Sequence, residues 1–143
     1  MFAQRHLNLP INQRTVLVTV DMVRASLGVD ADSVAARVEA GELRWVFDVA
    51  AKGSQIRELR FWAKAIIAPE RVADLTLSEA VGEILGDNRK TWRGTEVEHL
   101  LLISRPTVKK LHDDGELPGD LVGRTFIFGR AALESFFKRR AVK

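Results

Sequence analysis

Twenty-one residues near the start of this chain come back near its end. Val23–Leu43 (VRASLGVDADSVAARVEAGEL) lies over Val97–Leu117 (VEHLLLISRPTVKKLHDDGEL) at a constant shift of 74 positions. Val23/Val97, Leu27/Leu101, Val29/Ile103 and Val34/Val108 match as apolar pairs, and Gly41-Glu42-Leu43 equals Gly115-Glu116-Leu117. Asp30 and Ser104 are both good helix N-caps, and Ser33 and Thr107 are both small hydroxyl residues. Two unrelated amphipathic helices can agree in apolar spacing, but the shared cap, spacing and Gly-Glu-Leu end together point to a repeat. The fold must therefore be one that 143 residues can build twice, as two small related units.

Each unit parses in the same way. In the second, Thr95 is a candidate N-cap for a helix from Glu96 to about Leu101, whose Val97, Leu100 and Leu101 recur at three- and four-residue spacing. Ile103 breaks that run. Ser104 then caps a new helix that accepts Pro106 in its first turn, where no N–H donor is needed. Val108 and Leu111 form its buried stripe, so Lys109 and Lys110 point elsewhere, and Gly115 ends it. Two short helices joined by so tight a turn meet steeply, as in a helix-turn-helix. Leu121-Val122 and Arg124–Phe128 read as a hairpin turning at Gly123, and Ala131–Phe137 as a closing helix. In the first unit a helix capped by Thr19 or Asp21 runs to Leu27, and Asp30 caps a second, to about Ala40. A longer hairpin (Leu43–Val49 and Ile56–Phe61) follows, then a helix from residue 62 that breaks near Pro69. Between the units, Thr76 and Glu79 stand at capping-box spacing before a linker helix Leu77–Leu85, with a hinge expected at Asp87–Lys90. The expected architecture is mainly α with small β-hairpin wings (α+β), as tandem winged helix-turn-helix units. They divide as 15–68 (divergent unit), 69–90 (linker helix and hinge) and 91–143 (second unit).

Charge separates the two units. The net charge is only +3, but from Ile103 onward nine basic residues face five acidic ones, so the end of the chain carries the whole excess. A polyanion would meet that part first. No apolar run approaches the ~20 residues that span a bilayer, so no membrane role is expected. Met1–His6 lacks the apolar core of an export signal, and the absence of cysteine rules out a disulfide framework and a thiol nucleophile. A cytoplasmic, nucleoid-associated location is expected.

The order helix, turn, helix, Gly-Glu-Leu-Pro, hairpin, helix over Glu96–Phe137 resembles the winged helix-turn-helix of the excisionase and MerR-like DNA-binding families. Ile103–Leu111 (ISRPTVKKL), Gly115–Pro118, Gly123–Ile127 (GRTFI) and Arg130–Leu133 (RAAL) carry the resemblance. One departure is Leu102, where a small residue is usual in the turn. The resemblance implies a second helix that enters the major groove and a wing that touches backbone or minor groove. It also implies a sequence-specific double-stranded DNA-binding protein of a bacterium, phage or mobile element. Such a protein would act in transcription regulation or, as a recombination directionality factor, in DNA recombination. The expected contacts are Ser104, Arg105, Thr107, Lys109, Lys110, Arg124, Thr125 and Arg130. Arg105 and Thr107 would meet base edges and Lys109 and Lys110 phosphates, because the N-terminal end of a recognition helix reads bases.

The first unit is chemically different. Its second helix begins Asp30-Ala31-Asp32, which repels phosphates, and only Arg37 there is basic. Contacts from its wing through Arg44, Lys52, Arg57 and Arg60 are the remaining DNA role. Trp45, Phe47, Phe61 and Trp62 cluster at that hairpin and are expected in the core, with a dimer surface as the second reading, and Trp92 is expected in the core. His6, His99 and His112 are scattered, and no zinc-protease, phosphate-loop or nucleophile-elbow motif occurs, so no enzyme, metal or cofactor is expected. A homodimer or cooperative oligomer on DNA would supply the contact area that one short module lacks. The competing reading is a protein-interaction adaptor that keeps the fold without DNA binding.

Overall fold

A computed structural model describes residues 16–142. It is an α+β fold, about half helical, with two three-stranded antiparallel sheets. The first half runs β1 (Leu17–Thr19), α1 (Val20–Leu27), α2 (Ala31–Glu39), β2 (Val46–Asp48), β3 (Leu59–Trp62) and α3 (Ala63–Ile67). After α4 (Pro69–Val72) and α5 (Leu77–Leu85), the order recurs as β4 (Thr91–Arg93), α6 (Gly94–Leu101), α7 (Arg105–Asp113), β5 (Asp120–Val122), β6 (Thr125–Gly129) and α8 (Arg130–Arg140). The strand orders β1-β3-β2 and β4-β6-β5 are equivalent. So are the outer registers, Leu17↔Trp62 in one sheet and Thr91↔Gly129 in the other. Even single bonds repeat: Ala63 N–H donates to Val16 O at 2.8 Å, and Arg130 N–H donates to Lys90 O at 2.9 Å.

Local chemistry sets the helix pairs. Asp30 Oδ1 accepts from Ser33 N–H at 2.8 Å and Ser104 Oγ from Thr107 N–H at 3.3 Å, capping α2 and α7 alike. Each three-residue turn starts from a left-handed residue, Gly28 (φ 69°) and Leu102 (φ 55°). Leucine there costs ~1–2 kcal/mol against a right-handed residue. The penalty is offset in part because the Leu102 carbonyl accepts from Arg60 Nη2 at 2.8 Å.

The first strand of each sheet is absent from the sequence reading. Both are three residues long and run straight into a helix, too short for any periodicity to show. This displaces one cap. Because Arg93 is still paired to Ile127 in the sheet, α6 starts at Gly94 with Arg93, not Thr95, as N-cap, and Glu96 Oε1 accepts the Arg93 N–H at 2.8 Å. The helix at Leu77–Leu85 has its Thr76/Glu79 capping box, but it packs along α8 and buries Ala80, Val81, Ile84 and Leu85. The Asp87–Lys90 segment after it is tied down by Arg130, whose guanidinium donates to the carbonyls of Gly82, Gly86 and Arg89.

The first sheet is covered on both faces. Val18, Val46 and Phe61 pack on Val23, Val34 and Val38 of the α1–α2 pair. The alternate residues Leu17, Phe47 and Trp62 join a larger core with Trp92, Leu101, Leu111, Phe128, Leu133, Phe136 and Phe137 from the second half. Phe47 and Phe137 meet edge to face, 5.0 Å apart at 84°. The basic end Lys138-Arg139-Arg140 completes α8. Arg140 donates to Asp48 O (2.9 Å) and Ala50 O (2.7 Å), and Val142 N–H donates to Val46 O at 2.8 Å. Among the described residues, the second sheet is covered on one face only. On its other face Arg93 and Asp120 are exposed beside half-buried Ile127.

Candidate nucleic-acid interface

Helix α7 is amphipathic in the simplest sense. Val108 and Leu111 are 2% and 0% exposed, and the opposite side presents Arg105, Lys109 and Lys110 to solvent. The β5–β6 hairpin stands beside it with every β5 residue exposed. Between the N-terminal end of α7, the first turn of α6 and the hairpin lies an open cleft of about 620 Å³. Arg93, Arg105, Lys109 and Arg124 line it together with Thr95 and Thr125, and among the described residues Glu98 is the one carboxylate in its wall.

The cations of the cleft and of the neighbouring helix face are not equivalent. Lys109 pairs with Asp113 and Lys110 with Asp114, each one turn on along the helix. The Asp113 carboxyl is held below the usual carboxylate range, first by the hydrogen bond from Lys109 and then by that from His112. Arg93, Arg105 and Arg124 have no carboxylate within salt-bridge distance among the described residues. The N-terminal end of α7 adds its own partial positive charge to the same cleft. Ser104 and Thr107 contribute mainly to the cap, their hydroxyls 2.9 Å apart. Thr125 is exposed at the hairpin end, paired with Val122.

Arg130 does not belong to this surface. Its guanidinium is folded onto three backbone carbonyls and Glu134, so it holds α8 to the segment before β4. Arg93, in contrast, lies in the cleft and is missing from the sequence reading, because the strand that positions it was not seen. The repeat could have found it, since it stands where Thr19 caps α1.

The hairpin is set against α7 by His112. Its Nε2 lies 3.1 Å from Gly119 O, and its ring centroid lies 4.4 Å from that of Phe126, the planes tilted by 43°. That approach requires a glycine. A Cβ at Gly119 would sit 2.6 Å from the Phe128 ring and 2.8 Å from Ile127 O. Gly119→Ala is expected to cost ~1–3 kcal/mol by overpacking, read as a lower midpoint in thermal denaturation followed by circular dichroism. An unchanged midpoint would show that the hairpin is free to shift.

Arg60, read from the sequence as a wing contact, is 7% exposed and donates to Leu101 O and Leu102 O at 2.8 Å each. It faces the second unit because its register on β3 puts it on the same side as Phe47 and Trp62. Arg44 lies over the Trp45 ring at 4.5 Å and donates to Ala73 O. Lys52 and Arg57 are exposed on the longer hairpin, Arg57 at 3.7 Å from Asp48. The outward side of α2 carries Ala31, Asp32, Ala35, Ala36 and Glu39, with Arg37 half-buried. Trp45, Phe47, Phe61, Trp62 and Trp92 are all core. Comparison with protein-family models, with curated proteins and with solved structures yields no match to this chain.

Proposed function

We propose that the second half is a winged helix-turn-helix that binds duplex DNA sequence-specifically, with α7 in the major groove and the β5–β6 hairpin as the wing. The observation that carries the reading is the cationic cleft. Three arginines without a salt-bridge partner among the described residues, Arg93, Arg105 and Arg124, line it, and Arg105 stands on a helix end narrow enough for a ~12 Å groove. Arg105 reads a base edge; Lys109, Lys110, Arg93 and Arg124 meet phosphates. The first half is a divergent copy of the same unit whose acidic, alanine-rich α2 does not face DNA. The resemblance to excisionase and MerR-like proteins supports a role as a transcriptional regulator or a recombination directionality factor.

Binding is tested by fluorescence anisotropy on duplexes selected from a random pool. With three to five phosphates neutralised, log K should fall against log salt with a slope of about −3 to −4.5. Arg105→Ala should weaken the selected site by ~1–3 kcal/mol while leaving random DNA nearly unaffected, and Lys110→Ala should weaken both alike. Equal behaviour of the two variants would remove α7 as the reading helix. The adaptor reading rests on α2, whose outward side suits a protein partner better than a phosphate backbone. A chain that no duplex retains at low salt would decide for it.

A further inference from the structure

Glu98 is out of place in a cleft that attracts anions. It sits half-buried on α6, one turn after Thr95, and lines the same cleft as Arg93, Arg105, Arg124 and Lys109. Among the described residues no cation lies within salt-bridge distance of it. Its neighbours differ: Glu96 meets Arg89, Asp113 meets Lys109 and Asp114 meets Lys110. The wall that carries Glu98 is set against the hairpin, since a Cβ at Gly94 would lie 3.7 Å from Phe126 Cβ. A free carboxylate and free guanidinium groups therefore face one open space without touching. Between them the lining is partly apolar, through Pro106 and Phe126.

We infer that Glu98 determines base specificity, by accepting a hydrogen bond from the N4 amino group of the cytosine whose guanine partner Arg105 meets. The inference rests on the DNA-binding reading above. A cleft that took phosphates alone would gain nothing from a carboxylate, because phosphate oxygens only accept hydrogen bonds and carry the same sign of charge. A base edge offers both kinds of group. In the major groove a G·C pair presents guanine N7 and O6 as acceptors beside the cytosine N4 donor. Arg105 supplies the donors for the first two and Glu98 the acceptor for the third. An A·T pair also has an amino group, on adenine N6, but it stands where Arg105 needs its second acceptor. The apolar lining suits a base edge better than a hydrated phosphate, and it strengthens hydrogen bonds made beside it. Both groups line a single cleft, so only the groove that receives α7 is involved.

The test compares base pairs by fluorescence anisotropy at the position of the selected duplex that Arg105→Ala relaxes. Wild type should favour G·C over A·T there by about 5- to 150-fold. Glu98→Ala should lose at least about threefold of that preference while binding random duplexes as tightly as wild type or more so, because a repelling charge is gone. Glu98→Gln should move the preference toward A·T, since an amide can face adenine N6 and N7 together. The Glu98 carbonyl that accepts from Ile103 N–H at 3.1 Å is kept in both variants, so their melting temperatures should match that of wild type. A preference unchanged in both, a loss at some other base pair, or selected and random duplexes weakened alike overturns the role of Glu98 and leaves the DNA-binding reading standing. A selected site with no pair that Arg105→Ala relaxes overturns it too. No duplex bound by wild type overturns both.

Discussion

Phe137→Ala should lower stability by ~3–5 kcal/mol and melt both halves in one transition. The side chain is fully buried, stacked edge to face on Phe47 from the first sheet and beside Phe136 on its own helix. Its removal opens a cavity at the junction, where α8, the first sheet and α5 share one core. For a chain of this size the loss should lower the melting midpoint by at least about 6–10 °C. The informative readout is the shape of the curve. Units divided at an independent linker would lose stability in the second half alone, giving two transitions by calorimetry. A shared core requires one, and two transitions in the variant would show that the halves fold separately.

Arg60→Met should cost ~2–4 kcal/mol despite keeping an aliphatic stem of similar length. Arg60 is the only polar or charged residue that is buried among those described, and its guanidinium satisfies two carbonyls at the α6–α7 turn. Leaving a buried carbonyl unpaired costs ~1–3 kcal/mol. Its partial ion pair with Glu58 adds little, because that carboxylate is half exposed. Since one of the two carbonyls belongs to the left-handed Leu102, the variant should also loosen the angle between α6 and α7. Chemical denaturation measures the first effect, and amide hydrogen exchange at Ile103 and Ser104 the second. A variant as stable as wild type, with protection at the turn intact, would show that water replaces the guanidinium.

The helices were legible because their signals are local. The caps Asp30, Ser104 and Thr76 and the apolar stripe Val108/Leu111 depend on neighbours a few residues away. The hairpin β5–β6 was legible for the same reason, through Gly123 and the run Arg124–Phe128. What failed to show was set at long range. Strands β1 and β4 exist because β3 and β6 supply partners more than thirty residues away. The fates of Arg60 and Arg130 depend on carbonyls 41 to 48 residues distant. In sequence a buried arginine looks the same as a surface one. Part of the cationic cleft could be read, namely Arg105, Lys109 and Arg124, because helix and hairpin are adjacent in the chain. Arg93 could not, because its strand was invisible.

The asymmetry of the two sheets limits how such a chain can grow. The first sheet receives the second unit on Leu17, Phe47 and Trp62, whereas the corresponding face of the second sheet carries Thr91, Asp120 and Gly129, with Arg93 in the place of Thr19. A third module, whether duplicated in evolution or supplied by a neighbouring molecule, would have to dehydrate an arginine and a carboxylate to stack in the same way. Among the described residues the second sheet thus presents the kind of polar outer face that suits the end of an array rather than a stacking surface.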